Sequence, residues 1–140
     1  MAKKFVRSDF DFLEGLPYTV NIALAASATT DGMDITITVQ DEDGVAITDV
    51  FHLEWWISEA ATGIGLTADS YSGDVTTGTG TEMEEVTSKK HFRGLTDANG
   101  VLVATAVDSA NPTDQYVAVK HPVSGEVIVS AASGTSWEGV

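Results

Sequence analysis

Cysteine is absent from the 140-residue sequence. No disulfide framework, thiolate nucleophile or thiolate metal site can form, so burial and backbone pairing alone must hold the fold. Basic residues are also scarce: seven Lys and Arg stand against 21 Asp and Glu, a formal charge of −14. Not one falls between Ser8 and Ser88. A duplex-binding face needs a broad basic surface to neutralise phosphates, so nucleic acid is not an expected partner. No apolar run approaches the roughly 20 residues of a membrane-spanning helix, so no membrane partner is expected either. The opening MAKKFVRSDFDFLEG begins basic, but Asp9, Asp11 and Glu14 interrupt any apolar stretch. A secretory signal is therefore not expected, and synthesis in a cytoplasm is. Good helix formers such as Leu, Lys, Arg and Gln are few, and 13 Gly with many Thr, Val and Ala favour a β protein rich in turns.

What is present is a core-forming composition, 43% hydrophobic, patterned with period two. Tyr18, Val20, Ile22 and Leu24 alternate with Thr19, Asn21 and Ala23, behind an entry proline, Pro17. Met33, Ile35, Ile37 and Val39 alternate with Asp34, Thr36, Thr38 and Gln40, one face buried and one wet. In Val50–Ser58, Phe51, Leu53, Trp55 and Ile57 share the expected inner face, with Trp55 as the central core aromatic; His52, Glu54, Trp56 and Ser58 share the outer. Trp56 then needs cover from an edge, an arm or a partner. Residues 59–80 read as a long loop or a short strand near Gly65–Ala68. A strand is expected over Thr87–Phe92, with a helical turn at Glu82–Val86 as an option. Asn99-Gly100 reads as a type I′ hairpin turn. It leads into Val101–Val107, a sandwich-filling strand with Val101, Val103, Thr105 and Val107 on one side. Gln115–His121 pairs with the strand in EVIVSAA through a turn at Pro122–Gly125.

These signals give an all-β, immunoglobulin-like β-sandwich of about seven to eight antiparallel strands with an N-terminal arm. The expected organisation is an arm over 1–15, the sandwich over 16–133 and a polar C-terminal tail over 134–140.

Few constellations carry chemistry. His52, His91 and His121 lack metal-ligand spacing. No nucleophile elbow or phosphate-binding loop is present. Asp41, Asp43 and Asp97 could offer oxygen ligands to calcium, but the EF-hand pattern is not met and turn formation accounts for them. Glu54 beside Trp56 is the first place to look for a glycosidase carboxylate or a sugar-binding face. No cofactor, metal or catalytic residue is expected, and an enzyme is the least expected class.

Three pieces carry a resemblance. ITVQDEDGVAITD (Ile37–Asp49), LTDANGVLVATAV (Leu95–Val107) and DQYVAVKHPVSGEVIVSA (Asp114–Ala131) resemble, in order and spacing, the turn-and-strand pattern of bacterial immunoglobulin-like domains of the invasin (Big) type. Such domains usually occur as repeats in secreted adhesins. A single copy without cysteine or export signal resembles instead the accessory proteins of tailed phages, among them capsid decoration (cement) proteins. That resemblance implies a virion protein on the capsid surface, assembled in the host cytoplasm. Its implied partners are the major capsid protein and sister copies in a homo-oligomer. The residues expected to make those contacts are Lys3, Lys4, Phe5, Arg7, Phe10 and Phe12 of the arm, with Trp56, Lys89, Lys90 and Arg93. The alternative is an adhesion or carbohydrate-binding module of a fibre or cell surface, with surface glycans as partner. An arm against a neighbouring acidic subunit gives the basic cluster a purpose; otherwise the acidic surface serves solubility.

Overall fold

A computed structural model describes Pro17 and residues 19–78 and 82–140. Nine strands run β1 (Thr19–Ala26), β2 (Gly32–Gln40), β3 (His52–Ser58), β4 (Val75–Thr77), β5 (Glu82–Thr87), β6 (His91–Leu95), β7 (Val101–Val107), β8 (Tyr116–Lys120) and β9 (Val127–Val129). They form two antiparallel sheets, ordered β1-β2-β7-β4 and β5-β6-β3-β8-β9. Among the described residues there is no helix. The sheets pack face to face as a β-sandwich. The four-stranded sheet has the A-B-E-D order of immunoglobulin domains, and β3-β8-β9 stands where C-F-G does. One departure is that the chain visits β4, on the far edge of the first sheet, before returning to build β5 and β6 on the second.

Alternation decides which side of each strand is buried. Met33, Ile35, Ile37 and Val39 from β2 meet Leu53, Trp55 and Ile57 from β3, Phe92 from β6 and Val117 and Val119 from β8 in one core cluster. Trp55 is fully buried and stacks on Phe92 with ring centroids 4.3 Å apart. On β7 the buried side is Leu102, Ala104 and Ala106; Val101, Val103, Thr105 and Val107 face outward and are only half-buried.

Several turns differ from expectation. Thr87–Phe92 is not one strand and Glu82–Val86 is not helical. The two glutamate-rich and basic halves form the β5–β6 hairpin, turned at Ser88–Lys90 with Lys89 at a φ of 61°. No strand forms at Gly65–Ala68; residues 59–74 are an irregular loop followed by β4, a short strand the sequence pattern did not single out.

Asn99-Gly100 is not a type I′ turn, because only Gly100 has positive φ (72°). The turn is organised by Asp97. Its N–H donates to Val101 O (2.7 Å), its carbonyl accepts from Gly100 N–H (3.1 Å), and its Oδ1 accepts from the N–H of Asn99 and Val101. It joins strands of different sheets, β6 and β7, so it is a corner and not a hairpin. Asp41–Val45 repeats it: Asp41 N–H donates to Val45 O, Gly44 N–H donates to Asp41 O, and Oδ1 accepts from the N–H of Asp43 and Val45. Asp-x-x-Gly-Val is thus one device used twice, a carboxylate satisfying two backbone donors that the turn leaves without partners. His121 plays the same part in a turn one residue longer, its N–H donating to Glu126 O (2.7 Å) and its Nδ1 accepting from Val123 and Ser124 N–H.

The C-terminal stretch is polar in composition, yet Trp137 is 1% exposed. Its indole donates to Pro112 O (2.7 Å) and meets Tyr71 edge-on at 5.6 Å. Residues 134–140, polar in composition, thus contribute a residue to the core.

Candidate binding face on the five-stranded sheet

The outer side of the second sheet follows from β3. Its outward residues are His52, Glu54, Trp56 and Ser58, as the alternation requires. Register sets their neighbours: Leu95 beside His52, Arg93 and Lys120 flanking Glu54, His91 and Ala118 flanking Trp56. Glu84 lies beyond Arg93. One row across the sheet therefore reads Glu84, Arg93, Glu54, Lys120, with signs alternating, a favourable cross-strand order. The next row holds His91, Trp56 and Ala118.

A loop closes over that second row. Gly63 lies so near the sheet that a Cβ there would come within 2.9 Å of both Ala118 Cβ and Val129 Cγ2, and its φ is +72°. Trp56 Nε1 donates to Gly63 O (2.8 Å), Ser58 Oγ to Ile64 O (3.3 Å) and Thr67 N–H to Ile57 O (2.8 Å). The cover that Trp56 needs therefore comes from its own chain. His91 meets Trp56 edge-on at 6.0 Å, and its Nε2 lies 2.9 Å from Glu54 Oε1. Folding the loop down leaves Ile64 and Leu66 at its crest, 79% and 42% exposed. With Trp56, Glu54, His91 and Val127 they line an open groove of about 410 Å³. A second hollow of about 410 Å³ lies along the same sheet between His52, Met83, Glu84, Arg93 and Leu95.

The groove offers an indole, an apolar rim and one carboxylate already tied to an imidazole. Among the described residues Glu54 is the only carboxylate lining it. Among the described residues no group of three or more His, Cys, Asp or Glu is placed to hold a metal ion. Asp41 and Asp97 spend Oδ1 on their own turns.

The structure separates the other residues singled out in the sequence. Lys3, Lys4, Phe5, Arg7, Phe10 and Phe12 lie outside the described residues. Lys89 and Lys90 turn toward their own chain: Lys89 Nζ donates to Tyr71 O (2.9 Å) and lies 3.7 Å from Asp74, and Lys90 Nζ donates to Ala68 O (3.2 Å). They clip the 68–74 loop to the β5–β6 hairpin. Only Arg93 of that strip stands on the open sheet face. Beneath the clipped loop, Gln115 donates from Nε2 to Asp69 Oδ2 (2.9 Å) and lies 3.4 Å from the Tyr71 hydroxyl. Burial keeps the Tyr71 phenol protonated well above its ordinary range, reinforced by Asp108, Asp69, Asp114 and Glu59. Burial also lifts the Asp69 carboxyl, with Glu59, Asp114 and Asp108 pushing the same way and Lys90 opposing. These are the electrostatics of a loop anchor. Sequence reasoning found Glu54 and Trp56 by alternation. It missed Ile64 and Leu66, because nothing local says that a Gly-rich loop will fold back over a sheet.

The fold defines an immunoglobulin-like β-sandwich with one sheet face covered in part by its own loop. No protein-family model matches the chain, and no curated protein matches it in sequence.

Proposed function

We propose that this chain is a structural virion protein, a capsid decoration protein that binds the outside of a phage head and bridges coat subunits. The observation that carries the docking surface is the apolar crest of the 63–66 loop: Ile64 is 79% exposed beside Leu66 and Val127. Apolar side chains held out on a hydrogen-bonded loop gain free energy only when something covers them. The likeness of a cysteine-free immunoglobulin-like sandwich without an expected export signal to accessory virion proteins supports this class of partner. In this reading the arm residues, from Lys3 to Phe12, add a second attachment to the coat or to sister copies, and many copies add avidity. The test is addition of purified protein to purified undecorated shells, with occupancy measured by electron microscopy. Ile64→Asp with Leu66→Asp is expected to lower occupancy at least tenfold, and deletion of residues 1–15 to lower it further. Unchanged occupancy in both variants refutes the reading.

A second reading rests on the groove itself. Trp56, Glu54 and His91 set an aromatic surface beside hydrogen-bonding groups, the combination a sugar needs, and the chain is then a glycan-binding adhesion module. A glycan array separates the two, with Glu54→Gln as the variant that preserves shape. Saccharide binding lost in that variant favours this reading; a blank array removes it.

A further inference from the structure

A two-sheet sandwich has four edge strands, and here three of them are defended. β4 and β9 have three residues each. β5 carries Glu82, Glu84 and Glu85 and breaks register between Glu85 and Thr87. Short length, charge and bulges are the devices that stop an edge from pairing with another chain. β1 has none of them. It is eight residues long, TVNIALAA, without a charge, a glycine or a proline, and it pairs with β2 without interruption from Thr19 to Ala26.

The register also fixes which backbone groups point outward. Ser27 N–H donates to Gly32 O, continuing the β1·β2 pairing. Hydrogen-bonded pairs alternate along an antiparallel ladder, so Thr19, Asn21, Ala23 and Ala25 turn their N–H and C=O toward β2. Val20, Ile22, Leu24 and Ala26 turn theirs to the open edge. Among the described residues no strand pairs with that edge. Ile22 and Leu24 pack against the core only in part.

We infer that β1 is a self-pairing edge, and that two copies of this chain join β1 to β1 antiparallel about a twofold axis, fusing the two four-stranded sheets into one of eight strands. The occupant follows from charge. Copies with a formal charge of −14 repel over most of their surface, so two like faces meet most favourably where charge is missing. β1 is uncharged, and its outward neighbours on β2 are Thr36, Thr38, Gln40 and one acid, Asp34, which accepts a hydrogen bond from Thr105 Oγ1. An edge with evenly spaced outward donors and acceptors is complementary to its own antiparallel copy. The register that pairs all of residues 20–26 sets Ala23 opposite Ala23 of the second copy and Ile22 opposite its Leu24. It also places the two Asp34 side chains toward opposite ends of the new pair. The inference stands on the edge alone and holds whether the chain decorates a shell or binds a sugar.

The test uses the full chain. Sedimentation velocity from about 1 µM to about 1 mM compares wild type, Ala23→Lys, Ala23→Glu and an equal mixture of the two variants. Position 23 is exposed, so each variant keeps its core, and circular dichroism confirms folding. Wild type is expected at twice the monomer mass at high concentration, each variant as a monomer, and the mixture as a dimer again, because Lys then faces Glu. Hydrogen exchange at Val20, Ile22, Leu24 and Ala26 is expected to slow at least tenfold in the dimer. Wild type monomeric throughout, variants that dimerise as wild type does, or a mixture that stays monomeric each overturns the inference.

Discussion

Replacing Gly44 by Ala and, separately, Gly100 by Ala separates two costs that usually arrive together. Both glycines end the same Asp-x-x-Gly-Val turn, and both have positive φ, +76° and +72°. The left-handed backbone costs an L-residue about 1–2 kcal/mol, and the less flexible unfolded chain returns about 0.4–1 kcal/mol. Gly44→Ala is therefore expected to destabilise by about 1 kcal/mol, since its Cβ meets nothing within 4 Å. At Gly100 the added Cβ would sit 2.3 Å from Ile47 O, a backbone atom that cannot rotate away. Ile47 is held there by its N–H to Val39 O (3.0 Å), and Val39 N–H in turn donates to Gly100 O (2.9 Å). Relief requires moving the 46–47 segment off β2, an overpacking cost of about 1–3 kcal/mol on top of the backbone term. The expected difference between the two variants is thus about 1–3 kcal/mol. With a urea m-value of about 1.5 kcal/mol/M this separates the midpoints by about 0.7–2 M. Equal midpoints would refute the argument, because they would mean that the turn, and not its packing against Ile47, sets the cost.

Three further outcomes follow from the same contacts. Trp137→Ala is expected to cost about 3–5 kcal/mol, the range for deleting a buried Trp, and Trp137→Phe less, both measured by urea unfolding; a change below 1 kcal/mol for the alanine variant would return residues 134–140 to the status of a tail. Asp69→Asn is expected to raise the unfolding midpoint at pH 7. The folded-state carboxyl has a raised pKa, so its ionisation weakens the fold as pH rises through that value; wild type and variant should coincide in acid and diverge toward neutrality. Gly63→Ala is expected to lift the loop from Ala118 and Val129, break the bond from Trp56 Nε1 and red-shift the tryptophan emission while global stability falls by only about 1–3 kcal/mol.

Much of the architecture was legible in local pattern. Met33–Gln40 and His52–Ser58 declare their faces by alternation, and β7 and β8 declare themselves as strands. What local pattern could not supply was anything that depends on meeting a distant partner. On β7 the core takes Leu102, Ala104 and Ala106, while Val101, Val103, Thr105 and Val107 lie on the other side, a choice that the strand's unbroken run of apolar and small residues leaves open. Lys89 and Lys90 read along the sequence as a basic strip, and the fold brings to their ammonium groups the carbonyls of Tyr71 and Ala68, far back in the chain. The groove could be half seen: Glu54 and Trp56 came from β3 alone, while Ile64, Leu66 and Val127 arrive from a loop and another strand.

Local sequence pattern sets the all-β class, the strands with clean period two, the burial of Trp55 and the turns at Thr29–Gly32, Asp41–Gly44 and Pro122–Gly125. Those are consequences of backbone geometry and of residue chemistry within a few positions. It also determined that Asp41 and Asp97 would shape turns, since a short carboxylate reaches the N–H groups two and four residues on. Tertiary packing alone tells the two turns apart: both lie between strands of different sheets, but only at Gly100 does another backbone pass within reach. That packing requires Gly100 to be bare because Ile47 crosses it, buries Trp137 in the core, and leaves β1 with no strand on its outer edge among the described residues. Each of these depends on which surfaces are brought together, and burial and close approach act between residues that the chain itself keeps far apart.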